Sequence, residues 1–451
     1  MKTKAPPAPP TPPAPPASPA ARVARAPSSV RFVRAARVAR AAVLAAPARA
    51  ISRAAAALAF AAAVTTAPAA AQDAFTVTVT HDLATARPAE TIVIPLKEVR
   101  ARIPGMLLDC VAVRDAKGRV IPAQVTNFTP GARPVLGDDL VWQHDFAPGE
   151  KTAAFTIERT ARPVPPFEQK TFARHVPERL DDFAFENDLI AHRMYGPALD
   201  TVAAGRSRMI SSGIDVWAKS ARHPIINRWY LKGHDAYHVN SGEGLDMYDV
   251  GTDRGAGGTG VWDGARIHTS HNWATWRILA NGPIRTVFEL TYAPWDADGV
   301  RVTETKRFTI DAGRNLHQVE STFAFAGRDT LTIAIGLSKP RRNATHTHAS
   351  DAKTGWLANW ITYNRPRGEG SIGTAALLPA GATPASLAED KGNHYLLTPA
   401  APGQPLRYHI GACWSQDGTG RFPTQAAWEA YLADFAHRLA HPLAVTLSPT
   451  K

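Results

Sequence analysis

Cysteine is scarce in this chain: among its 451 residues only Cys110 and Cys413 are cysteines. The sequence has no Cys-x-x-Cys pair and no Cys/His spacing of the zinc-binding type, so it gives no support for a zinc ribbon or a thiol redox motif. The two cysteines are about three hundred residues apart. Two buried free thiols are favoured, and a disulfide in an oxidising compartment stays open.

Acidic residues are absent from positions 1–71, which consist almost entirely of Ala, Pro, Arg, Val and Ser. An apolar run at 54–64 is followed by the small residues Ala69, Ala70 and Ala71. A basic start, an apolar run and a small-residue cleavage site predict a signal peptide, here with a Pro-rich extension in front of it. The run is too short and too rich in Ala for a retained membrane anchor. We therefore expect a periplasmic or secreted protein with no membrane contact after cleavage.

The net charge of +12 comes mostly from this leader. Residues 1–71 contain ten Lys and Arg and no Asp or Glu, and removing them from +12 leaves about +2. A nearly neutral mature chain gives no reason to expect a nucleic-acid partner.

Long apolar runs are missing from the rest of the chain, which instead shows short segments of alternating apolar and polar residues. This pattern predicts antiparallel strands. The strand candidates are 75–79, 92–94, a hairpin at 111–125, 140–146, 152–157, 285–292, 302–310, 318–325, 331–337, 356–363, 406–414 and 444–447. Residues 159–184 show no clear period and are interpreted as a linker or crossing loop.

One helix is predicted near the end of the chain. Its apolar residues share one face at helical spacing, and they are Trp428, Tyr431, Leu432, Phe435 and Leu439. Thr424 is placed to cap the helix and Pro442 to stop it. The expected fold is all-β, a large antiparallel β-sandwich with one C-terminal helix. We expect an N-terminal β-sheet segment at 72–165 and a main sandwich at 166–451 that carries the functional site.

The stretch 185–276 is unlike a core strand and has the composition of a site for a polar substrate. It contains titratable and aromatic side chains, namely His192, His223, His234, His238, His268, His271, Glu186, Asp215, Asp246, Asp249, Trp217, Trp229, Tyr230, Tyr237, Tyr248, Trp262, Trp273 and Trp276. The glycine-rich run 251–260 lacks the Lys-Ser/Thr of a phosphate loop and is interpreted as a mobile or tightly turned loop beside the site.

Histidine is the expected base of this site, because imidazole titrates near neutral pH. We assign this role to His238 or His271, and the structural alternative for each is a hydrogen-bonded or surface histidine. Arg193, with Lys232 in reserve, is assigned to a substrate carboxylate, for which a guanidinium is well suited. For these cations, an ion pair with Glu186 or Asp188 weighs about equally.

The remaining roles go to hydroxyl, carboxyl and aromatic groups. Tyr248 or Tyr237 is assigned as the acid, and Glu186 is expected to orient Arg193 or the histidine. Asp246 is expected to bind substrate, with a solvated turn acid as the alternative.

Trp262 and Trp273 are expected as platforms for sugar rings, whereas Trp276 fits a core strand. No cofactor is required. Ca²⁺ is an open choice for the series Asp246, Asp249, Asp253 and Asp263, which does not match an EF-hand.

The motifs 185–199, 212–217 and 237–248, together with the helix 428–439, resemble a family of exported bacterial proteins known by a domain-of-unknown-function label. The resemblance spans nearly the whole mature chain. It implies a galactose-mutarotase-like β-supersandwich and an association with the breakdown of uronic-acid-containing glycans such as pectin.

We therefore expect an exported carbohydrate-active enzyme on uronate-containing oligo- or polysaccharides, most plausibly a polysaccharide lyase that works by β-elimination. Hydrolysis through the pair Glu186 and Asp246, sugar epimerisation by a His–carboxylate pair, and non-catalytic glycan binding remain alternatives. Only elimination creates a double bond conjugated to the carboxylate, so ultraviolet absorbance distinguishes it from the others.

Overall fold

A computed structural model describes residues 73–450, except positions 130, 132–134, 202, 204, 206–207, 342, 365–368 and 382–385. The predicted signal peptide, 1–71, lies outside the described residues. The described chain is built mainly of β-strands, as the alternating sequence pattern predicts.

The strands are β1 Ala74–Thr80, β2 Arg87–Pro95, β3 Val111–Arg114, β4 Val120–Ile121, β5 Ala123–Val125, β6 Asp139–Phe146, β7 Thr152–Arg159, β8 Phe172–Val176, β9 Asp182–Glu186, β10 Ala191–Met194, β11 Ile214–Lys219, β12 Gly244–Asp246, β13 Ala256–Trp262, β14 Ile267–His268, β15 Trp273–Ala280, β16 Arg285–Ala297, β17 Val300–Asp311, β18 Leu316–Ala324, β19 Leu331–Ser338, β20 Ala344–Asp351, β21 Trp356–Tyr363, β22 Ser371–Leu377, β23 Ser386–Glu389, β24 Asn393–Ala400, β25 Pro405–Trp414 and β26 Ala444–Pro449. The helices are α1 Leu96–Arg102, α2 Ile226–Lys232 and α3 Gln425–Ala440.

Five sheets arise from these strands, and the pairings between neighbouring strands are antiparallel. The largest sheet has the order β15-β16-β17-β18-β25-β22-β21-β20, and a second has the order β14-β13-β19-β24-β23. Alternate residues of both sheets meet in one apolar core that includes Phe288, Phe308, Ile333, Ile335 and Leu396. The prediction of an all-β antiparallel sandwich with a C-terminal helix is confirmed.

A smaller sandwich is formed by the sheets β26-β1-β7-β3-β4 and β2-β6-β5, around a separate core that contains Phe75, Trp142 and Phe155. The predicted hairpin 111–125 is divided between these two sheets at Pro122, because proline lacks the N–H that a continuous ladder needs. The last strand of the chain, β26, pairs with the first, β1.

Helix α3 follows the sequence prediction closely. The Oγ1 atom of Thr424 accepts a hydrogen bond from the backbone N–H of Ala427, and the helix ends at Ala440, before Pro442. Its apolar side chains Trp428, Leu432 and Phe435 pack against the β21–β22 side of the large sheet.

The remaining sheet, β12-β11-β10-β9-β8, presents two different faces. One face carries Phe183, Phe185 and Met194 into the main apolar core. The opposite face is covered by helix α2 and the 3-10 turn Ala236–His238. The interpretation of 159–184 as an unstructured crossing was wrong, since it contains β8 and the start of β9.

The interpretation of the glycine-rich run 251–260 as a loop was wrong for its second half. Positions 251–253 form a turn, whereas positions 256–262 form the buried strand β13, paired with β19. A Cβ atom at Gly257 would lie 2.3 Å from Cγ2 of Ile410, and one at Gly260 would lie 2.6 Å from Cγ1 of Ile267. Glycine is needed here because neighbouring layers approach the backbone closely.

Both cysteines are buried free thiols, which decides between the two alternatives left open by the sequence. Burial raises the pKa of Cys413 well above its usual value.

In the described part of the chain, no helix combines the length and the apolar character needed to cross a membrane.

Candidate functional site

The covered face of the β8–β12 sheet holds a group of charged side chains. Arg193 on β10 lies directly opposite Asp215 on β11, and Trp217 on β11 lies opposite Asp246 on β12. Since side chains of paired residues point to the same face of a sheet, these residues share one surface. Asp182, at the start of β9, lies on the same side as a diagonal neighbour of Arg193.

Arg193 is the centre of this group. Its Nη2 atom lies 2.8 Å from Oδ2 of Asp215 and 3.7 Å from Oδ2 of Asp246, and its Nε atom lies 3.9 Å from Oδ2 of Asp182. The Nη1 atom donates a hydrogen bond of 3.3 Å to the hydroxyl of Tyr237. One guanidinium therefore faces three aspartates and a phenol.

Aromatic rings surround the guanidinium. Its central carbon lies 5.2 Å from the ring centroid of Tyr195 and 5.7 Å from that of Trp217. Trp217 in turn packs against Trp229 of helix α2 at 5.3 Å and against Tyr237 at 4.8 Å. These rings exclude water, which strengthens the electrostatic interactions within the group.

The aspartates do not titrate like ordinary carboxyl groups. Burial raises the pKa of Asp215 to about 8, with a further contribution from the Asp246 charge and an opposing one from Arg193. Burial likewise raises the pKa of Asp182 to about 7, against the opposing charge of Arg193. Near neutral pH the group therefore holds protons as well as charges, as functional sites commonly do.

His238 is the titratable group of the site that reaches the surface, with 35% of its side chain exposed. Its Nδ1 atom lies 2.9 Å from the backbone carbonyl oxygen of Asp246 and 3.6 Å from the carboxylate of the same residue. A carbonyl oxygen only accepts hydrogen bonds, so Nδ1 carries the proton and Nε2 carries the lone pair. This tautomer gives the ring a basic nitrogen at the outer edge of the charged group.

Glu186 lies elsewhere in the hydrogen-bond network than expected. It is fully buried, and its carboxylate lies 2.6 Å from Nζ of Lys219 and accepts the backbone N–H groups of Ile225 and Ile226. The expectation that it orients Arg193 therefore needs correction: it neutralises a buried lysine and holds the start of helix α2. Because these contacts engage its carboxylate, Glu186 also does not suit the hydrolytic pair with Asp246 that the sequence suggested.

Two further candidates lie at the surface. The Nδ1 atom of His271 lies 2.7 Å from Oδ2 of Asp200, and 62% of the His271 side chain is exposed. Lys232, at the end of helix α2, contacts Glu243 at 3.4 Å and the hydroxyl of Ser241 at 3.2 Å. In the described part of the chain, His271 and Lys232 therefore contact residues outside the Arg193 group.

The other aromatic candidates are separated from one another. Tyr248 is buried in an apolar cluster with Ile361 and Tyr363, where burial raises its pKa well above the usual value. Trp262 packs over Tyr395 at 5.4 Å.

Trp273 lies in the main core, in contact with Phe183. The assignment of Trp276 to the core was wrong: it is 42% exposed and stacks on His175 at 5.3 Å.

The acids considered for Ca²⁺ are dispersed as well. Asp263 is bound to His268 at 2.7 Å, Asp253 to Arg341 at 2.8 Å, and Asp246 belongs to the Arg193 group. Among the described residues, no three His, Cys, Asp or Glu side chains converge on a metal position.

Sequence reasoning gave no role to Asp182 or Asp215. The sequence did contain a sign of this polar face, because alternate residues of a strand share a face. One face of β9 carries Asp182, Ala184 and Glu186, and one face of β11 carries Asp215 and Trp217. Charged residues at period two, in strands whose other residues are apolar, mark a buried polar face.

Comparisons with known proteins agree with the sequence motifs. Residues 79–445 match the family model described as a domain of unknown function, DUF4861. Uncharacterized protein P7 of Formosa agariphila is 33% identical over 289 residues, which cover 61% of this chain and 69% of that protein.

Solved structures resemble the chain only distantly. A protein in glycosyl hydrolase family 38 from Enterococcus faecalis matches with a TM-score of 0.42 and 8% identity, over 83% of this chain and 48% of that one. An alpha-mannosidase from Enterococcus faecalis matches with a TM-score of 0.37 and 7% identity, over 84% and 46%. The chain thus spans about half the length of these structures. The family model, by contrast, covers most of the chain, so the protein belongs to the DUF4861 family.

Proposed function

We propose that this protein is an exported enzyme that acts on uronic-acid-containing oligo- or polysaccharides by β-elimination, with His238 as the base. The observation that carries the proposal is the geometry of His238. Its Nδ1 is held by Asp246, its ring is partly exposed, and its Nε2 is left with the lone pair. A base fixed in one tautomer beside a buried carboxylate is suited to proton abstraction.

In this reaction the Nε2 atom of His238 takes the proton from C5 of the uronate. The electron pair of the C5–H bond becomes the C4–C5 double bond, and the C4–O bond breaks with its electrons on the leaving oxygen. Tyr237 gives its hydroxyl proton to that oxygen. The Tyr237 ring lies 4.8 Å from the His238 ring, which supports the assignment of Tyr237 as the acid.

Arg193 assists by stabilising negative charge. Its hydrogen bond to the Tyr237 hydroxyl stabilises the phenolate left after proton transfer. Burial raises the pKa of Asp215, so that neighbour offsets less of the positive charge of Arg193, which is assigned to stabilise the substrate carboxylate and the enolate-like transition state. Lys232, partly exposed near the same turn, is the second cation for the carboxylate.

Export is proposed from the leader alone, and the uronate class from the resemblance of motifs 185–199, 212–217 and 237–248. The polar character of the site supports both substrate and reaction type. We propose no cofactor for this reaction, and Ca²⁺ stays open.

The test is an absorbance scan of the mature protein, residues 72–451, with a panel of uronate glycans, with and without Ca²⁺. An ultraviolet band from the conjugated double bond is expected on at least one glycan. His238→Ala is expected to lose it, while His271→Ala, a matched surface histidine paired with Asp200, keeps it. A fully active His238→Ala variant would refute the assignment of the base.

One observation favours a second candidate, glycoside hydrolysis. Burial raises the pKa of Asp215, which lies beside Asp246, and hydrolysis uses a pair of carboxyl groups, one of which has a raised pKa. Asp215, however, is fully buried and is screened from substrate by Arg193 and the surrounding rings. New reducing ends without an absorbance band would favour hydrolysis. Binding without any product would favour a glycan-binding protein.

A further inference from the structure

A second polar cavity lies at one end of the main sandwich, apart from the Arg193 group. It has a volume of about 310 Å³ and lies among the end of β13, the tip of the β16–β17 hairpin and the loop between β18 and β19. Its lining combines one large aromatic, two carboxylates, one arginine and two hydroxyls, contributed by Trp262, Asp263, Asp298, Arg328, Thr330 and Thr332.

Trp262 supplies the apolar wall. Its indole is tilted over Tyr395 at 5.4 Å, so one side is supported by the protein, while the ring also borders the cavity. The C–H groups of a pyranose ring pack favourably on such a supported aromatic face. A supported ring loses little conformational freedom when a ligand binds.

Asp263 is fixed in position. Its Oδ2 lies 2.7 Å from Nε2 of His268, and its Oδ1 accepts the backbone N–H groups of Ala265 and Arg266, both at 2.8 Å. These hydrogen bonds lower the pKa of Asp263 and keep it ionised. An ionised carboxylate with a fixed orientation accepts hydrogen bonds from sugar hydroxyls without reorganising.

The lining also supplies donors. Arg328 is exposed and, within the described part of the chain, forms no ion pair, and Thr330 and Thr332 add hydroxyl groups. Asp298, a second acceptor, lies in the hairpin turn with a left-handed φ of 54°, followed by Gly299 with φ of 79°. The cavity lining therefore combines acceptors, donors and one aromatic ring, which are the groups that bind a saccharide.

We propose that this cavity is a second saccharide site, which takes a neutral pyranose residue. Two carboxylates and one arginine line this cavity, and Arg266, which pairs with Asp263 at 3.4 Å, lies outside the lining. This lining disfavours a uronate, because like charges repel in a confined site. The site binds one neutral sugar of a glycan, or a chain end, and does not take part in the chemistry at His238. The inference goes beyond the proposed function and does not require it.

The experiment uses the inactive His238→Ala protein, so that no turnover disturbs binding. Tryptophan fluorescence and ligand-observed NMR are followed while methyl glycosides of glucose, galactose, mannose, xylose and rhamnose are added, with methyl galacturonoside as the acidic probe. Saturable binding of at least one neutral glycoside is expected. Trp262→Ala and Arg328→Ala are each expected to weaken it by about tenfold or more.

Two matched variants separate the site from general surface effects. Trp276→Ala removes an exposed tryptophan outside the cavity lining, and Arg301→Ala removes an exposed arginine outside it, and both variants are expected to bind as the parent does. Arg328 is exposed, so its replacement tests the site even if Trp262→Ala fails to fold. The proposal is overturned if no neutral glycoside binds, if only the acidic probe binds, or if Arg328→Ala leaves binding unchanged.

Discussion

The imidazole of His238 and the main chain of Asp246 are joined by a hydrogen bond of 2.9 Å, and the carboxylate of the same aspartate lies 3.6 Å from the same nitrogen. The backbone contact sets the tautomer, and the carboxylate stabilises the ring once Nε2 has taken a proton. These two contributions come from one residue, so a side-chain substitution separates them.

Asp246→Asn retains the carbonyl contact and removes the negative charge. Turnover of a uronate glycan is expected to fall by roughly ten- to a hundredfold, because the protonated imidazole loses its counter-charge. The measurement is kcat on a uronate glycan at a single fixed pH, with the substrate in excess. Asp235→Asn, an exposed aspartate beside His234, serves as the control and should leave kcat unchanged.

Tyr237→Phe removes the hydroxyl that Arg193 contacts. We expect kcat to fall by about a hundredfold, since the leaving oxygen loses its acid. Tyr248→Phe is the matched control, because Tyr248 lies in a buried apolar cluster. Equal rates for Tyr237→Phe and the parent protein would remove Tyr237 from the reaction.

Asp215→Asn tests the buried proton. The folded protein raises the pKa of Asp215 from 3.8 to about 8 through burial. The native state thus holds a proton that the unfolded chain releases, and the stability linked to it is present at low pH and lost as pH rises from about 4 towards 8. In Asp215→Asn, the free energy of unfolding should vary less across this range, as measured by urea denaturation.

Asp182, with a pKa of about 7, retains part of the pH dependence in that variant. Asp329→Asn, in an exposed loop, should follow the parent curve at every pH. An unchanged slope in Asp215→Asn would mean that Asp215 is ionised in the native state.

Glu186→Gln should destabilise the fold, with activity lost only through unfolding. The variant leaves the fully buried Lys219 ammonium without its carboxylate, at a cost of about 3–5 kcal/mol in the free energy of unfolding. For comparison, Glu320→Gln breaks the more exposed pair with Arg407 and should cost less than about 1 kcal/mol. Urea denaturation of both variants measures the difference, and equal losses would contradict the structural role.

Gly257→Ala should also destabilise the protein, because the new methyl group would lie 2.3 Å from Ile410 and the backbone has φ of 112°. A loss of about 2–4 kcal/mol is expected from overpacking and backbone strain together. Gly118→Ala is the control: Gly118 also has a positive φ, 75°, but no atom lies within 4 Å of the new Cβ. Its loss of stability therefore measures the cost of backbone strain alone. Similar melting temperatures for the two variants would argue against close packing at β13.

The parts of the fold that depend on local sequence pattern could be predicted. Strand Trp356–Tyr363 and helix α3 follow directly from alternation and from helical spacing with a cap. Pro122 can be read from the sequence. That it separates strands of two different sheets cannot, because the strands that pair with β4 and β5 lie elsewhere in the chain. Gly257 of β13 suggested a loop because the contact that requires glycine there, the approach of Ile410, is more than a hundred residues away in sequence.

The site was predictable only in part. Arg193, Tyr237, His238 and Asp246 were named from residue type, and the structure brings them together. Asp215 reaches Arg193 through the register of β10 and β11, which sequence spacing does not fix. The alternation of β9 places Glu186 on the same face of the sheet as Asp182. It contacts Lys219 and not Arg193 because of where Lys219 lies in the folded chain.

The pairing of β26 with β1 has a consequence for synthesis. β1 is among the first strands to leave the ribosome and β26 among the last, so the hydrogen-bonding edge of β1 stays open until translation is almost finished. An open edge of this kind invites pairing with other chains. The small sandwich is therefore completed only when residues 444–449 have also been synthesised.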